Sequence, residues 1–275
     1  MTSDRIKPVT RPMAAILWIG SSLVLLAGVE LFVLTEHTDD YFAWTIEVPL
    51  TAAFLGAFYW TAFGLAIVSA RQRYWARARV GLIGVQAFVW LSLAATLLHL
   101  DLFHFTSPDP FARGAAWIWL IVYALEPPAL LLVYLRQIRQ AGGDPELEAP
   151  IPKPYKTMLQ VEALVVTAVG IALFLAPDGT ASLWPWALTP LTARTVAAWL
   201  IGLGLVLLSA GRERDWATLR PAVVSYIALA VLQFIALLRY PESVDWSSPG
   251  AWLYVAFLVV VLGTGLFGAR GLARR

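Results

Sequence analysis

The sequence predicts an all-α integral membrane protein with eight transmembrane helices. Of its 275 residues, 59% are hydrophobic and only 14% are charged, whereas soluble domains carry roughly 25% charged residues. The apolar residues fall in runs of about 20, the length that crosses ~30 Å of hydrocarbon at 1.5 Å per residue. This composition excludes a water-soluble globule. The sequence has no cysteine, which excludes disulfides and thiolate metal sites.

Each predicted span is a long apolar stretch bounded by charged residues or by Pro/Gly clusters. The eight spans lie near 13–34, 49–70, 80–100, 114–136, 157–176, 191–210, 221–239 and 250–269. The first is too long for a signal-peptide core, and no small-x-small cleavage pattern follows it, so we predict a retained helix. The third and seventh spans follow basic loops, and the fifth follows a Gly/Pro-rich linker. Thr189-Pro190 and Ser248-Pro249 begin the sixth and eighth spans, because each places a capping residue before a proline at the first helical position.

The basic residues predict the orientation of the chain in the membrane. Only Arg113, Arg194 and Arg239 fall on one side of the predicted spans, and the other 17 of the 20 Lys and Arg residues fall on the opposite side. The positive-inside bias then places both termini in the cytoplasm. We therefore expect a multi-pass protein of a bacterial-type plasma (inner) membrane, surrounded by lipid. Topology explains the basic residues, so they give no indication of nucleic-acid binding.

Matches between the two halves of the chain predict an internal duplication. At a shift of 141 residues, Pro49-Leu50-Thr51 matches Pro190-Leu191-Thr192, and the loop motif R-x-R-x-W-x3-R at 71–79 matches the one at 212–220. The predicted organisation is a first four-helix repeat at 1–139, a cytoplasmic linker at 140–156 and a second repeat at 157–275. Because four spans are an even number, the two repeats enter the membrane in the same direction.

Two acidic residues inside the predicted spans, Glu30 and Glu126, are the first functional candidates. An ionised carboxylate at the bilayer centre costs at least ~2.5 kcal/mol, so such residues usually face the bundle interior. Ala172 replaces Glu30 in the second half, and Pro127-Pro128 follow Glu126 and free backbone carbonyls at that depth. We interpret both as a proton or cation path. The alternative is a structural carboxyl hydrogen-bonded to Gln86, Tyr59 or Tyr123.

All three histidines lie on the predicted outer side of the first half, among several carboxylates. Imidazole and carboxylate are the usual non-thiolate ligands of zinc. The candidate ligands of a divalent metal such as zinc are therefore His37, His99, His104 and Asp101. The alternative is a solvated acidic loop with histidines at head-group level. The same residues and the acidic loops also predict an outward vestibule.

The sequence leaves three functions open. The first is a proton- or cation-coupled transporter or permeation protein with an outward acidic and histidine vestibule. The second is a membrane-embedded metal-dependent or lipid-modifying enzyme. The third is an accessory or structural subunit of a larger membrane complex. The predicted partner is either another protein of such a complex or a second copy of this chain.

No motif of a known chemistry is present. The sequence contains no P-loop, no G-x-S-x-G and no H-E-x-x-H, and it has no lysine within a predicted span. The arrangement of four plus four helices with internal termini is similar in topology to that of the haem A synthases. That resemblance implies bis-histidine haem ligation in both halves, which is excluded because the second half contains no histidine.

Overall fold

The computed structural model describes residues 6–273, and these residues form eight long helices with isolated bridges but no β-strands. The long helices are α1 (Arg11–Phe32), α2 (Pro49–Ala70), α3 (Leu82–Leu98), α4 (Pro110–Ile138), α5 (Lys153–Leu175), α6 (Pro190–Ala210), α7 (Trp216–Arg239) and α8 (Pro249–Ala273). With the short helices before α3 included, each segment is long and apolar enough to cross a membrane. The protein is therefore a multi-pass membrane protein.

Short helices join the long ones. Single α-helical turns occur at Thr38–Tyr41, Trp75–Ala78 and Pro177–Thr180, and 3-10 turns at Arg79–Gly81, Leu100–Leu102, Ala181–Leu183 and Pro241–Ser243. The predicted spans agree in number and order with the long helices of the described chain. The bounds differ most at α7, which begins at Trp216 rather than near 221, and at α4, α5 and α8, which each extend four residues beyond the prediction at one end. Three of the basic residues used for the orientation, Arg5, Arg274 and Arg275, lie outside the described residues.

Local sequence explains where the helices begin. The side chain of Thr10 accepts a hydrogen bond from the Met13 N–H at the start of α1, and Asp109 accepts from Phe111 and Ala112 at the start of α4. At α6, Thr189 and Thr192 form a reciprocal capping box before and after Pro190. The capping role predicted for Thr189-Pro190 is therefore confirmed.

The long helices pack in a closed order in which neighbours in space are often distant in sequence. Helix α1 packs on α2, α2 on α7, and α7 on α8; in the same way α5 packs on α6, α6 on α3, and α3 on α4. Smaller contacts between α1 and α4 and between α8 and α5 complete the order. Helices α2 and α6 are the most buried, while α1, α4, α5 and α8 present mainly apolar side chains to the outside.

The loops divide between two ends of the bundle. At one end, called the linker end here, residues 6–9 pair with 73–75 and the linker pairs with 214–216. At the other, called the histidine end, residues 42–44 meet 103–104, and Asp245 meets Pro185. Two tryptophans of the loops at this end, Trp44 and Trp186, are buried. Trp44 packs between Phe42, Phe103 and Trp119, and the indole of Trp186 donates to Thr51 Oγ1 over 2.9 Å.

Candidate functional site

A cavity of about 280 Å³ lies among the helices and extends along much of the bundle. Its wall is formed mainly by apolar side chains of α1, α2, α3, α4, α6 and α7. Phe42 and Ala43 close it toward the histidine end, and Tyr155 and Leu159 of α5 reach it from the linker end. An elongated cavity between helices is a common place for a ligand site in a helical membrane protein.

Glu30 and Glu126 both line this cavity. Measured from the histidine end, Glu30 lies two residues before the end of α1, ~3 Å along the helix. Glu126 lies sixteen residues into α4, ~24 Å from the same end. Helices α1 and α4 are adjacent. A Cβ atom placed on Gly20 of α1 would lie 3.6 Å from Oε1 of Glu126, so the missing side chain of this glycine leaves room for the carboxyl group. The two acids predicted from the sequence thus face one shared space.

Neither carboxyl group forms a hydrogen bond or an ion pair with any residue in 6–273. The three partners proposed from the sequence are engaged elsewhere. Gln86 donates its amide N–H to the carbonyl oxygen of Pro127 over 3.0 Å, and the hydroxyl groups of Tyr59 and Tyr123 are 2.7 Å apart and bond to each other. The contacts therefore do not support a structural role in which these residues hydrogen-bond to Glu30 or Glu126.

The tyrosine pair lies between the two acids. Tyr59 is ten residues into α2, ~15 Å, at a depth between those of Glu30 and Glu126. Tyr123 precedes Glu126 by less than one turn of α4. Around the pair stand further rings: Phe88 and Trp199 stack with centroids 3.7 Å apart, and Trp199 meets Tyr59 edge to face at 4.9 Å. The part of the cavity between the two acids is thus lined by aromatic rings, and the hydroxyl groups of Tyr59 and Tyr123 lie within it.

Helix α4 runs without interruption through Pro127 and Pro128. The two prolines cannot donate to the carbonyls one turn earlier, those of Tyr123 and Ala124. The side chain of Gln86 on α3 donates to a different carbonyl, that of Pro127. This bond joins α3 to α4 one residue after Glu126.

The histidines are not brought together. His104 lies between the carbonyl of Phe42 and the hydroxyl of Thr45, each 3.0 Å from a ring nitrogen. His99 contacts Arg194, and His37 is exposed beside Asp40. Within the part of the chain that the structure describes, no group of three or more His, Cys, Asp or Glu side chains could hold a metal ion.

The predicted zinc site at His37, His99, His104 and Asp101 is therefore not supported by the structure. The physical reason is that each imidazole has a different structural neighbour. The loop containing His104 folds back on residues 42–45, while His99 at the end of α3 faces α6, which packs along that helix. Proximity in the sequence at the end of α3 does not bring these rings to one point.

The contact between His99 and Arg194 defines the state of the imidazole. Nη1 of Arg194 lies 2.7 Å from Nε2 of His99. Because a guanidinium can only donate, Nε2 accepts and the ring proton belongs on Nδ1. Partial burial and then the positive charge of Arg194 lower the pKa of His99 below its usual value of 6.5, against the opposing charge of Asp101.

Sequence reasoning missed a third acid inside the spans, Glu162 of α5, which is buried. Its Oε2 accepts from the hydroxyl of Tyr226 on α7 over 2.6 Å, and its Oε1 accepts from the hydroxyl of Thr264 on α8 over 2.5 Å. Tyr226 itself lines the cavity. The criterion that selected Glu30 and Glu126 applies equally here, because position 162 falls inside the predicted span 157–176. Unlike those two, Glu162 is fully engaged by neighbouring helices.

The acidic loops of the predicted vestibule are mostly open to solvent. Asp39, Asp40, Glu47 and Asp101 are exposed. Glu36 accepts from the Tyr240 hydroxyl over 3.4 Å, in a group that also includes Arg239 and Thr35. Arg239 donates to the carbonyl of Phe32 at the end of α1, where a cation is favoured by the helix dipole. Part of this region therefore ties α7 to α1.

Comparisons of the chain with models of protein families, with curated proteins and with solved structures found no match.

Proposed function

We propose that the protein is a proton- or cation-coupled transporter or permeation protein, with Glu30 and Glu126 on its path. The observation that carries the proposal is that both carboxyl groups line one cavity and form no bond to the residues in 6–273. A carboxyl group at membrane depth without a structural partner is a site where a proton or cation can bind and leave. The tyrosine pair between them continues the polar surface from one acid toward the other.

The path has a direction in this proposal. Glu30, near the end of α1, is the acid closer to the histidine end, and Glu126 is deeper. The exposed acids at 39, 40 and 47 surround the histidine end and would attract cations there. The proposed route runs from these loops past Glu30 and the tyrosine pair to Glu126. The acidic and histidine loops serve as a vestibule without a bound metal in this scheme.

We also propose which membrane holds the protein, how the protein is oriented in it and that its two halves are repeats. We place the protein in a bacterial-type inner membrane with both termini cytoplasmic, so that the histidine end faces outward. Matching backbone hydrogen bonds support two repeats in parallel orientation. In the first half, the N–H of Val9 donates to the carbonyl of Arg73 and the N–H of Trp75 to that of Lys7. In the second half, the N–H of Ile151 donates to the carbonyl of Arg214 and the N–H of Trp216 to that of Ala149. The second pair of bonds lies 141 to 142 residues after the first.

The test is a flux measurement on the whole protein in liposomes. Proton entry is followed with an internal pH dye under a potassium diffusion potential, and sodium entry with a radioactive tracer. We expect the wild type to exceed empty liposomes in at least one assay. We expect Glu126→Gln to lower that flux by at least about tenfold, since the amide keeps the shape and removes the exchangeable proton.

The matched control is Glu242→Gln, which removes a carboxylate from the exposed turn Pro241–Ser243 outside the cavity. This variant should conduct like the wild type. Size-exclusion profiles and helical content establish that all three proteins are folded. The proposal fails if the wild type shows neither flux, or if Glu126→Gln conducts as the wild type does.

A further inference from the structure

Two residues that line the cavity each carry a buried polar atom with no hydrogen-bond partner within residues 6–273. These atoms are Nε1 of Trp199 on α6 and Oγ of Ser225 on α7. Both residues are deeply buried, with 7% and 4% of their surface exposed. A buried N–H or hydroxyl group is nearly always hydrogen-bonded, so an unpaired one in a residue that lines a cavity is a candidate partner for an occupant. This observation is independent of the two acids.

The charged groups that line the cavity indicate the sign of the charge on that occupant. Among the described residues that line it, the ionisable side chains are the carboxyl groups of Glu30 and Glu126 and the phenols of tyrosines, and there is no lysine, arginine or histidine. An anion would meet only carboxyl groups and ring faces there. A cation would be attracted by both, because the face of an aromatic ring carries negative charge.

The rest of the wall selects an organic molecule rather than a bare ion. Phe88, Trp119 and Trp199 present ring surfaces, and the remaining lining residues are mostly aliphatic. A hydrated metal ion would lose its water without gaining ligands over most of this length. A ligand with an apolar body would bury that body against the wall, as ligands do in most apolar cavities with few polar groups.

The cavity reaches the outer surface between α1 and α4. Leu26 of α1 and Ile118 of α4 both line it, and each is 62% exposed. These two helices share only a small contact, in part through Gly20. Because the exposed sides of α1 and α4 are apolar and suited to lipid, the mouth opens toward the hydrocarbon of the membrane.

We infer that the cavity binds an amphipathic organic cation that enters from the lipid between α1 and α4. Its positive group lies beside Glu126, its apolar body lies along Phe88 and Trp119, and its neutral polar atoms pair with Trp199 and Ser225. This inference rests on the proposed transport function and names the class of substrate for the same site. A proton on Glu126 and the organic cation would then compete for one carboxylate, which couples their movements.

Binding is tested without any flux measurement. The probe is radiolabelled decylammonium, added to the whole protein in nanodiscs of zwitterionic lipid, with empty nanodiscs as background. We expect saturable binding to the wild type. Glu126→Gln should weaken it by at least about tenfold, because a neutral amide no longer attracts the ammonium group. Glu242→Gln should bind as the wild type does.

Two competitors separate charge from partitioning into lipid. Decyl sulfate has the same chain with a negative group, and decanol has the same chain with no charge. We expect unlabelled decylammonium to displace the probe, decyl sulfate to leave it bound and decanol to displace it only weakly. Equal displacement by decyl sulfate would overturn the selection for a cation, and absence of saturable binding would overturn the site.

A second variant tests the space beside Glu126 and does not alter any acid. Gly20→Leu adds a side chain beside Glu126, whereas Gly263→Leu adds the same side chain at a helical position where a Cβ meets no atom within 4 Å. We expect the first to reduce binding strongly and the second to leave it unchanged. Equal binding by both would contradict the placement of the positive group beside Glu126. Binding without flux would remove the transport function and keep this site, and flux without binding would remove only this inference.

Discussion

The pairing of His99 with Arg194 joins two helices through a side chain whose protonation is sensitive to pH. Arg194 near the start of α6 donates to Nε2 of His99 at the end of α3. Protonation of that nitrogen would remove its lone pair and place two positive charges side by side. The native contact therefore requires neutral imidazole.

This contact predicts a loss of stability on mild acidification. The pKa of His99 in the folded protein lies below the usual 6.5, so the unfolded chain binds the proton more tightly. The contribution of His99 to stability is complete above its usual pKa and is lost as the pH falls through its lowered pKa in the folded protein. We expect the melting temperature in detergent to fall between neutral pH and pH ~5, and to fall less in His99→Gln.

The variant Arg194→Met provides the matching test. The charge of Arg194 is the second cause of the lowered pKa of His99, so its removal brings the pKa values of the folded and unfolded protein closer. The melting temperature should therefore depend less on pH than in the wild type. A slope identical in wild type, His99→Gln and Arg194→Met would contradict this account of the contact.

At the scale of helices, close packing depends on particular glycines. Gly84 of α3 faces Gly202 of α6, and a Cβ placed on Gly84 would lie 2.3 Å from the carbonyl oxygen of Gly202 and 2.5 Å from a methyl of Val206. The first of these atoms is backbone and cannot rotate away. Small residues at such crossings allow helices to approach in membranes, where the hydrophobic effect does not drive helix association.

Gly84→Ala should therefore destabilise the protein by about 1–3 kcal/mol, the range typical of overpacking. Gly263→Ala is the control, because a Cβ there meets nothing within 4 Å. That second change should be neutral or stabilising, since alanine is the better helix former. Denaturant titrations of both variants in the same detergent measure the difference. Equal stability of the two variants would show that α3 and α6 do not constrain each other at this crossing.

At the scale of the whole molecule, the linker end fastens the two halves of the sequence to each other. Arg79, before α3, bonds to both carboxylate oxygens of Glu213 at 2.8 Å each, and to both oxygens of Asp144 in the linker at 2.7 and 2.8 Å. The side chain of Glu213 is only 10% exposed. One guanidinium thus joins the loop before α3, the linker and the loop before α7.

Arg79→Met should lower the stability of the whole bundle by about 1–3 kcal/mol, because it leaves the carboxylate of Glu213 without this partner in a poorly solvated place. Arg77→Met is the comparison, since the partner of Arg77, Glu148, has a side chain that is 55% exposed. Its effect should stay below about 1 kcal/mol. Thermal unfolding and the rate of protease cleavage within the linker measure both. A larger effect at Arg77 than at Arg79 would refute this ranking.

The sequence by itself determined the solvent of the helices, their number and the acids within them. Long apolar runs can satisfy their backbone polar groups in lipid only as helices, so hydropathy predicted eight spans in the correct order. The same reasoning selected Glu30 and Glu126, because an acid inside such a run needs an unusual environment wherever the helix packs. It also missed Glu162, although that residue satisfied the same criterion.

Only the tertiary structure decided which of these groups meet. Residues of α1 and α4 share a cavity with α6 and α7 of the other half, while three histidines from neighbouring loops face three different surroundings. Hydropathy measures the preference of each segment for lipid and carries no information on which helix becomes its neighbour. That choice depends on the shapes of side chains at each crossing, such as Gly84 against Gly202, and becomes definite only when the helices pack.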